Sequence, residues 1–341
     1  MTLHSEGKRV FADGVHALRA FAAIAVVFYH CGATMALDKY QGMKNIESYT
    51  QGLDAGVDLF FVISGFVMAL PLFKKRNVDI PRYFENRILR IYPLSILTAC
   101  IFLGMGWAAM GRTPEVDDIL SSILLLPNGT TSTPVVLWTL KQELLFYTLF
   151  ALTFANRRAG LALLTLWGAT SLFVTGSSPL MQWLFNAHNV QFLMGILAGY
   201  LFIERMPERG PARMIGGLGS FAFLGLALTY KTLELTPEVS SLVFGILGTA
   251  AVLGAASSKL RVPTALMFLG SASYSIYLIH FLLVSFGNKV AFKLGPAMPG
   301  VVTLVLVSSF AVVGGCFYYS VFEKRLESWR HTYLKWRDAS N

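Results

Sequence analysis

The stretch VHALRAFAAIAVVFYHCGATMA, Val15–Ala36, is apolar and long enough to cross a bilayer, whose core takes about 20 residues of helix. It nevertheless carries Arg19 near its start and His30 near its end. Eleven residues separate them. That is three helical turns, roughly 16 Å of axis, so both side chains lie on one face. An ionisable group inside a membrane span is costly and marks a functional site by default. One helix thus offers a cation near one membrane surface and a titratable imidazole nearer the other. The segment is longer than a cleaved signal peptide and has no clear cleavage site, so it reads as a signal anchor.

The rest of the chain repeats the pattern. Of 341 residues, 55% are hydrophobic and only 14% charged, well below the share a soluble domain carries on its surface. Ten apolar spans are expected, at 15–36, 52–73, 91–110, 135–156, 159–176, 187–204, 214–231, 239–257, 264–286 and 300–322. The expected fold is all-α, a polytopic membrane helix bundle forming one domain over 1–341. The net charge of +9 follows the membrane and does not indicate nucleic-acid binding. With the N-terminus inside, Lys8, Arg9, Lys74, Lys75, Arg76, Arg82, Arg87, Arg90, Arg157, Arg158, Arg205, Arg209, Arg213, Lys259, Arg261 and the basic tail share one side. The opposite side holds only Lys39, Lys44, Arg112, Lys231, Lys289 and Lys293. The positive-inside rule therefore puts both termini in the cytoplasm. The three cysteines, Cys31, Cys100 and Cys316, all fall in apolar spans, where soft packing is the default reading.

Three segments lie outside the spans. The basic stretch 74–92 is expected to form a short helix from Ile80 to Tyr92, with Pro81 in its first turn and Arg87 and Arg90 on one face. The outer segment 111–134 contains an amphipathic run along the interface and a formal glycosylation sequon at Asn128, given little weight. The tail 323–341 reads as an interfacial helix anchored by Trp329, Tyr333 and Trp336.

Depth ties the ionisable residues together. His30 and Asp58 lie about six residues inside the outer ends of their spans and Glu143 about eight, which differ by a few ångströms at 1.5 Å per residue. His280, in the run SASYSIYLIH, falls at a comparable depth. A carboxylate beside an imidazole fixes its tautomer, which suits His30 to act as general base toward a hydroxyl. The plainer alternatives are a His–carboxylate pair that merely fastens helices and, for His280, a packing contact with Tyr274 and Tyr277. Trp138 and Tyr147 flank Glu143 at one helical turn and are expected to line the same cavity. Lys141 is expected to snorkel outward. Arg19, Arg87 and Arg90 gather near the cytoplasmic surface, and arginine suits bidentate phosphate contacts. Contact with anionic lipid is the plainer reading of that cluster.

At these residues the chain resembles the acyltransferase-3 family of bacterial integral-membrane acyltransferases. The carriers are Arg19-x10-His30, GVDLFFVISGFVM (Gly56–Met68), Arg87-x-x-Arg90 in RILRIYP, LWTLKQELLFY (Leu137–Tyr147) and SYSIYLIH (Ser273–His280). The resemblance covers nearly the whole length and is nearest to compact exopolysaccharide O-acetyltransferases. It implies acyl transfer from cytoplasmic acyl-CoA, acetyl by analogy, to a hydroxyl of a cell-surface or exported polysaccharide or its lipid-linked precursor. The enzyme would then sit in the bacterial inner membrane, with no permanently bound cofactor and no metal. His30 would be catalytic with Glu143 as its partner and Asp58 beside them. Arg19, Arg87 and Arg90 would bind the donor, while Trp138, Tyr147, Tyr277 and His280 line the acceptor cavity. Thr139 stands where the family often has serine, which keeps the hydroxyl. Two rivals remain: acylation of a small metabolite such as a macrolide, and a proton-coupled transporter using the buried His, Asp and Glu as a relay. The halves of the sequence show no repeat of the kind many transporters carry.

Overall fold

A computed structural model describes residues 3–40, 42–74, 78–111, 113–127, 132–174, 176, 178–205, 209–258, 261–294 and 298–340. The sequon at 128–130 and the basic residues Lys75, Arg76, Arg112 and Lys259 lie outside the described residues. The described chain is all-α, with no strand. Its helices are α1 (Leu3–Met35), α2 (Lys44–Thr50), α3 (Gly56–Phe73), α4 (Ile80–Met110), α5 (Val116–Ile123), α6 (Trp138–Ala155), α7 (Arg157–Thr170), α8 (Pro179–Leu184), α9 (Asn189–Tyr200), α10 (Arg209–Thr229), α11 (Pro237–Ser257), α12 (Thr264–Leu294), α13 (Gly300–Tyr318) and α14 (Lys324–Ser340).

Local chemistry sets the ends of these helices. Asp79 caps α4 by accepting from the Arg82 amide at 3.2 Å, and Pro81 sits in the first turn, where its missing N–H costs nothing. Gly111 ends α4 at φ 65°, a left-handed conformation that glycine adopts without strain. Asn156, Ser178 and Thr236 cap α7, α8 and α11 in the same way as Asp79. The separate helix expected before span three does not exist, because α4 runs unbroken from Ile80 through Pro93 to Met110.

Eight helical stretches among the described residues are long and apolar enough to cross a membrane. Their outward faces are apolar as well: Phe221 is 80% exposed and Phe317 68%, a burden that lipid removes and water would not. The chain is a multi-pass membrane protein. Expected spans 159–176 and 187–204 are helical as well: α7 covers most of the first, and α9 runs on without a break into a π turn at Leu201–Arg205. α9 is wedged between α3 and α11 with much of its surface buried.

At the centre is α1, which packs on α3, α11, α12 and α13. Glycines let α3 and α9 approach backbone to backbone. A Cβ at Gly195 would meet the Val62 carbonyl oxygen at 2.1 Å, and one at Gly65 the Phe192 oxygen at 2.2 Å. We expect Gly195→Ala to lower stability by about 1–3 kcal/mol, the range for overpacking a tight contact. Thermal unfolding in detergent checks this; an unchanged melting temperature would show that the helices can part without cost.

The expected tail helix is α14. It docks on α4 through Arg90 with Glu327 and through Glu85 with Arg337, and Glu323, in the turn just before it, also pairs with Arg90. Its aromatic stripe faces away, with Trp329 and Tyr333 stacked 5.6 Å apart and Trp336 exposed.

Candidate active site

Two cavities, of about 350 and 790 Å³, share Val57 and Tyr277 as wall residues. The smaller lies toward the Arg19 end of α1. The larger lies toward the His30 end and takes in the loops that flank α8 and precede α11. Tyr277 forms much of the partition. Its hydroxyl is 2.9 Å from Thr139 Oγ1 and donates to the Val136 carbonyl at 3.2 Å, and Phe60 meets its ring edge-on at 5.9 Å.

The smaller chamber is basic. Arg19 from α1 and Arg87 and Arg90 from α4 line it, together with Glu143 and Tyr147 from α6 and Tyr274 from α12. The sequence expected this arginine cluster, and one short spacing on α4 delivers two of its members. Arg87 lies 5.7 Å from the Tyr83 ring and 5.2 Å from the Tyr147 ring. No carboxylate among the described residues comes within ion-pair distance of Arg87, and its buried Nε has no partner there. Arg90 is differently placed. It lies over Tyr274 at 5.4 Å and pairs with Glu323 at 3.1 Å and with Glu327. The Glu323 contact is too bent to be a hydrogen bond on Oε1. The other oxygen, Oε2, accepts from the Ser275 amide and hydroxyl at 3.2 and 2.6 Å.

Glu143 also belongs to this chamber, which corrects the expected pairing with His30. Its carboxylate accepts from the Ser64 hydroxyl at 3.2 Å and from the Tyr147 hydroxyl. Ser64 is six residues beyond Asp58 on α3, roughly 9 Å deeper at the helical rise. Depth counted from hydropathy assumes that every span starts at one plane and runs upright. A 3-10 turn at Val135–Leu137 precedes α6, and the resulting offset drops Glu143 behind the partition. Lys141 also departs from expectation. It is buried and donates to the Ser121 hydroxyl at 2.6 Å, tying α6 to α5.

His30 faces the larger chamber. Its ring lies 5.1 Å from His280, 4.7 Å from Tyr29 and 5.4 Å from Phe281. His280 is where the sequence placed it, beside His30 in depth, but it is fully buried behind His30 rather than lining the cavity. Asp58 lines the same chamber as His30 and is paired with a residue the sequence reading missed. His188 Nδ1 lies 3.3 Å from Asp58 Oδ1 and 3.2 Å from Gln191 Oε1, while Gln191 Nε2 donates to Asp58. The His188 ring sits 5.5 Å from both Trp138 and Phe61. The signal was present in the run AHNVQ, where His188, Asn189 and Gln191 are too polar for the start of a lipid-facing span.

The arrangement gathers three arginines in one chamber and two imidazoles, several carboxylates and aromatic rings in the other, with a single tyrosine-lined wall between. It can take an anion from one side and a polyhydroxyl compound from the other.

The family model described as an acyltransferase domain matches residues 13–321. The exopolysaccharide production protein ExoZ of Rhizobium meliloti (strain 1021) is 29% identical over 297 residues, covering 80% of this chain and 89% of that protein. The acyltransferase MdmB of Streptomyces mycarofaciens is 24% identical over 350 residues, covering 88% of each chain. No solved structure matches the chain.

Proposed function

The chain belongs to this acyltransferase family, and from that premise we propose that it transfers an acyl group, acetyl by default, from cytoplasmic acyl-CoA to a hydroxyl of an exported saccharide at the bacterial inner membrane. The observation that carries the proposal is the pair of chambers meeting at Val57 and Tyr277, arginines on one side and His30 on the other. The positive-inside charge count supports placing the arginine chamber toward the cytoplasm. The name of the Rhizobium relative supports a polysaccharide or its lipid-linked precursor as the acceptor.

In this reading the phosphates of CoA bind Arg19, Arg87 and Arg90, where guanidinium groups match phosphate oxygens. The pantetheine arm extends through the smaller chamber and presents the thioester at the partition. The acceptor enters the larger chamber against Trp138, Tyr277 and the Asp58–His188 pair. His30 takes the proton of the acceptor hydroxyl as its oxygen attacks the thioester carbonyl. The C–S bond breaks, and His30 returns the proton to the departing thiolate. Glu143 adds a negative charge to the wall of the same chamber, and Ser64 and Tyr147 hold that carboxylate in place. Membrane lipid surrounds the whole assembly.

The test is label transfer by purified protein in lipid vesicles. Acetyl-CoA labelled on the acetyl group is supplied with and without an extract of lipid-linked saccharides. Label should move to saccharide with release of CoA; no release and no transfer with any acyl chain length would defeat the proposal. Label that stays on the protein without acceptor would replace direct attack with an acyl-histidine relay. Trp138→Ala should raise the acceptor KM about fivefold to tenfold, the order of one lost aromatic contact. An unchanged acceptor KM would remove Trp138 from that subsite.

A further inference from the structure

His280 is fully buried on α12, and its two ring nitrogens are not equivalent. Nδ1 lies 2.6 Å from the carbonyl oxygen of Tyr277, one turn earlier in the same helix. A carbonyl oxygen only accepts, so Nδ1 carries the proton of the neutral ring. Nε2 is then a lone-pair acceptor, buried and without a partner among the described residues. Such a group needs a donor, since burying a polar atom unpaired is unfavourable.

The neighbouring donor is His30. The two ring centroids are 5.1 Å apart and the planes are tilted by 40°. Two imidazoles joined by an N–H···N bond of about 2.9 Å have centroids roughly 5 Å apart once the ring radii are added. The centroid separation therefore matches that of a hydrogen-bonded pair of imidazoles. No carboxylate among the described residues lies within ion-pair distance of His30, and Glu143 is bonded to Ser64 and Tyr147 in the other chamber.

We propose that His280 is the positioning residue of His30. Its Nε2 accepts one ring N–H of His30 and so fixes the tautomer whose free lone pair faces the larger chamber. Catalytic histidines are commonly oriented by a carboxylate. Within a membrane a neutral acceptor does the same work without a buried charge. The Tyr277 carbonyl sets the tautomer of His280, and its ring walls the chamber in which His30 acts. The inference rests on the reading of His30 as the base that activates the acceptor.

The test compares His280→Leu, His280→Gln and His30→Ala in vesicles, using acetyl-CoA and the lipid-linked saccharide extract. We expect His280→Leu to lower turnover at least about 100-fold with the acetyl-CoA KM within threefold, because tautomer and orientation are lost but donor binding is not. His280→Gln keeps an acceptor oxygen and should recover at least tenfold over the leucine variant. Equal loss in the two variants, or a loss confined to KM, overturns the proposal. An inactive His30→Ala beside a fully active His280→Leu overturns it alone, whereas an active His30→Ala defeats the base reading instead. A measurement on the unaltered protein guards against variants that fail to fold. With ¹⁵N-histidine, solid-state NMR should give a nitrogen–nitrogen contact of about 3 Å that disappears in His30→Ala. Its absence overturns the proposal.

Discussion

Replacing His30 with alanine is expected to reduce acyl transfer by about 10³-fold or more while the protein stays folded. General-base catalysis by a positioned side chain contributes roughly 10²–10⁴-fold, and the other imidazole that lines the larger chamber is already engaged by a carboxylate and an amide. His188, the other imidazole lining that chamber, has Nδ1 within 3.3 Å of Asp58 and 3.2 Å of Gln191 and lies against Phe61 and Trp138. The His30 ring is half-buried and contacts Tyr29, His280 and Phe281. Losing it removes ring contacts worth about 0.5–1.5 kcal/mol each at most, which a helix bundle of this size tolerates. Donor binding should survive, because the arginines line the other chamber. Labelled-acetyl transfer and the acetyl-CoA KM of the variant decide the matter. Turnover near that of the unaltered protein would sink the assignment of His30.

Residue type and period made much of the fold legible. The helix that carries Arg19 and His30, the all-α class and the two-arginine spacing on α4 are visible in the sequence because each depends on chemistry within one segment. Hydropathy alone located α7 and α9 as helical, but it could not show that α9 packs against α3 and α11 while α7 keeps Leu163 and Leu166 exposed. In the site, placing His280 beside His30 in depth needed only the length of two helices, and the structure sets the two rings 5.1 Å apart. Glu143 required the tilt and entry of α6 relative to α3, which no single segment encodes, so the carboxylate expected beside His30 lies across the partition. His188 was missed for a related reason. Its partner Asp58 is 130 residues away in sequence, and only the wedging of α9 between α3 and α11 brings them together.

The same geometry separates two arginines that the sequence treats alike. Arg87→Ala should raise the acyl-CoA KM about tenfold to a hundredfold, the equivalent of one charge-assisted contact at roughly 1.5–3 kcal/mol. Its melting temperature should scarcely move, because Arg87 lies over the Tyr83 and Tyr147 rings with no carboxylate within ion-pair distance among the described residues. Arg90→Ala should instead destabilise the protein by about 3 kcal/mol, the penalty for leaving a buried charge without its partner. Glu323 is only 3% exposed, and Glu327 depends on the same guanidinium. With Arg90 gone, α14 is held to α4 mainly by Glu85 and Arg337, so proteolysis of the tail should quicken. Adding Glu323→Gln to Arg90→Ala removes the stranded charge and should restore most of the melting temperature. The KM then reports what Arg90 does for the donor: a value still raised in the stable double variant assigns Arg90 to CoA, and a normal value confines it to latching the tail. An unchanged KM in Arg87→Ala would be the more serious result, since it would take away the donor site on which the cytoplasmic half of the mechanism depends.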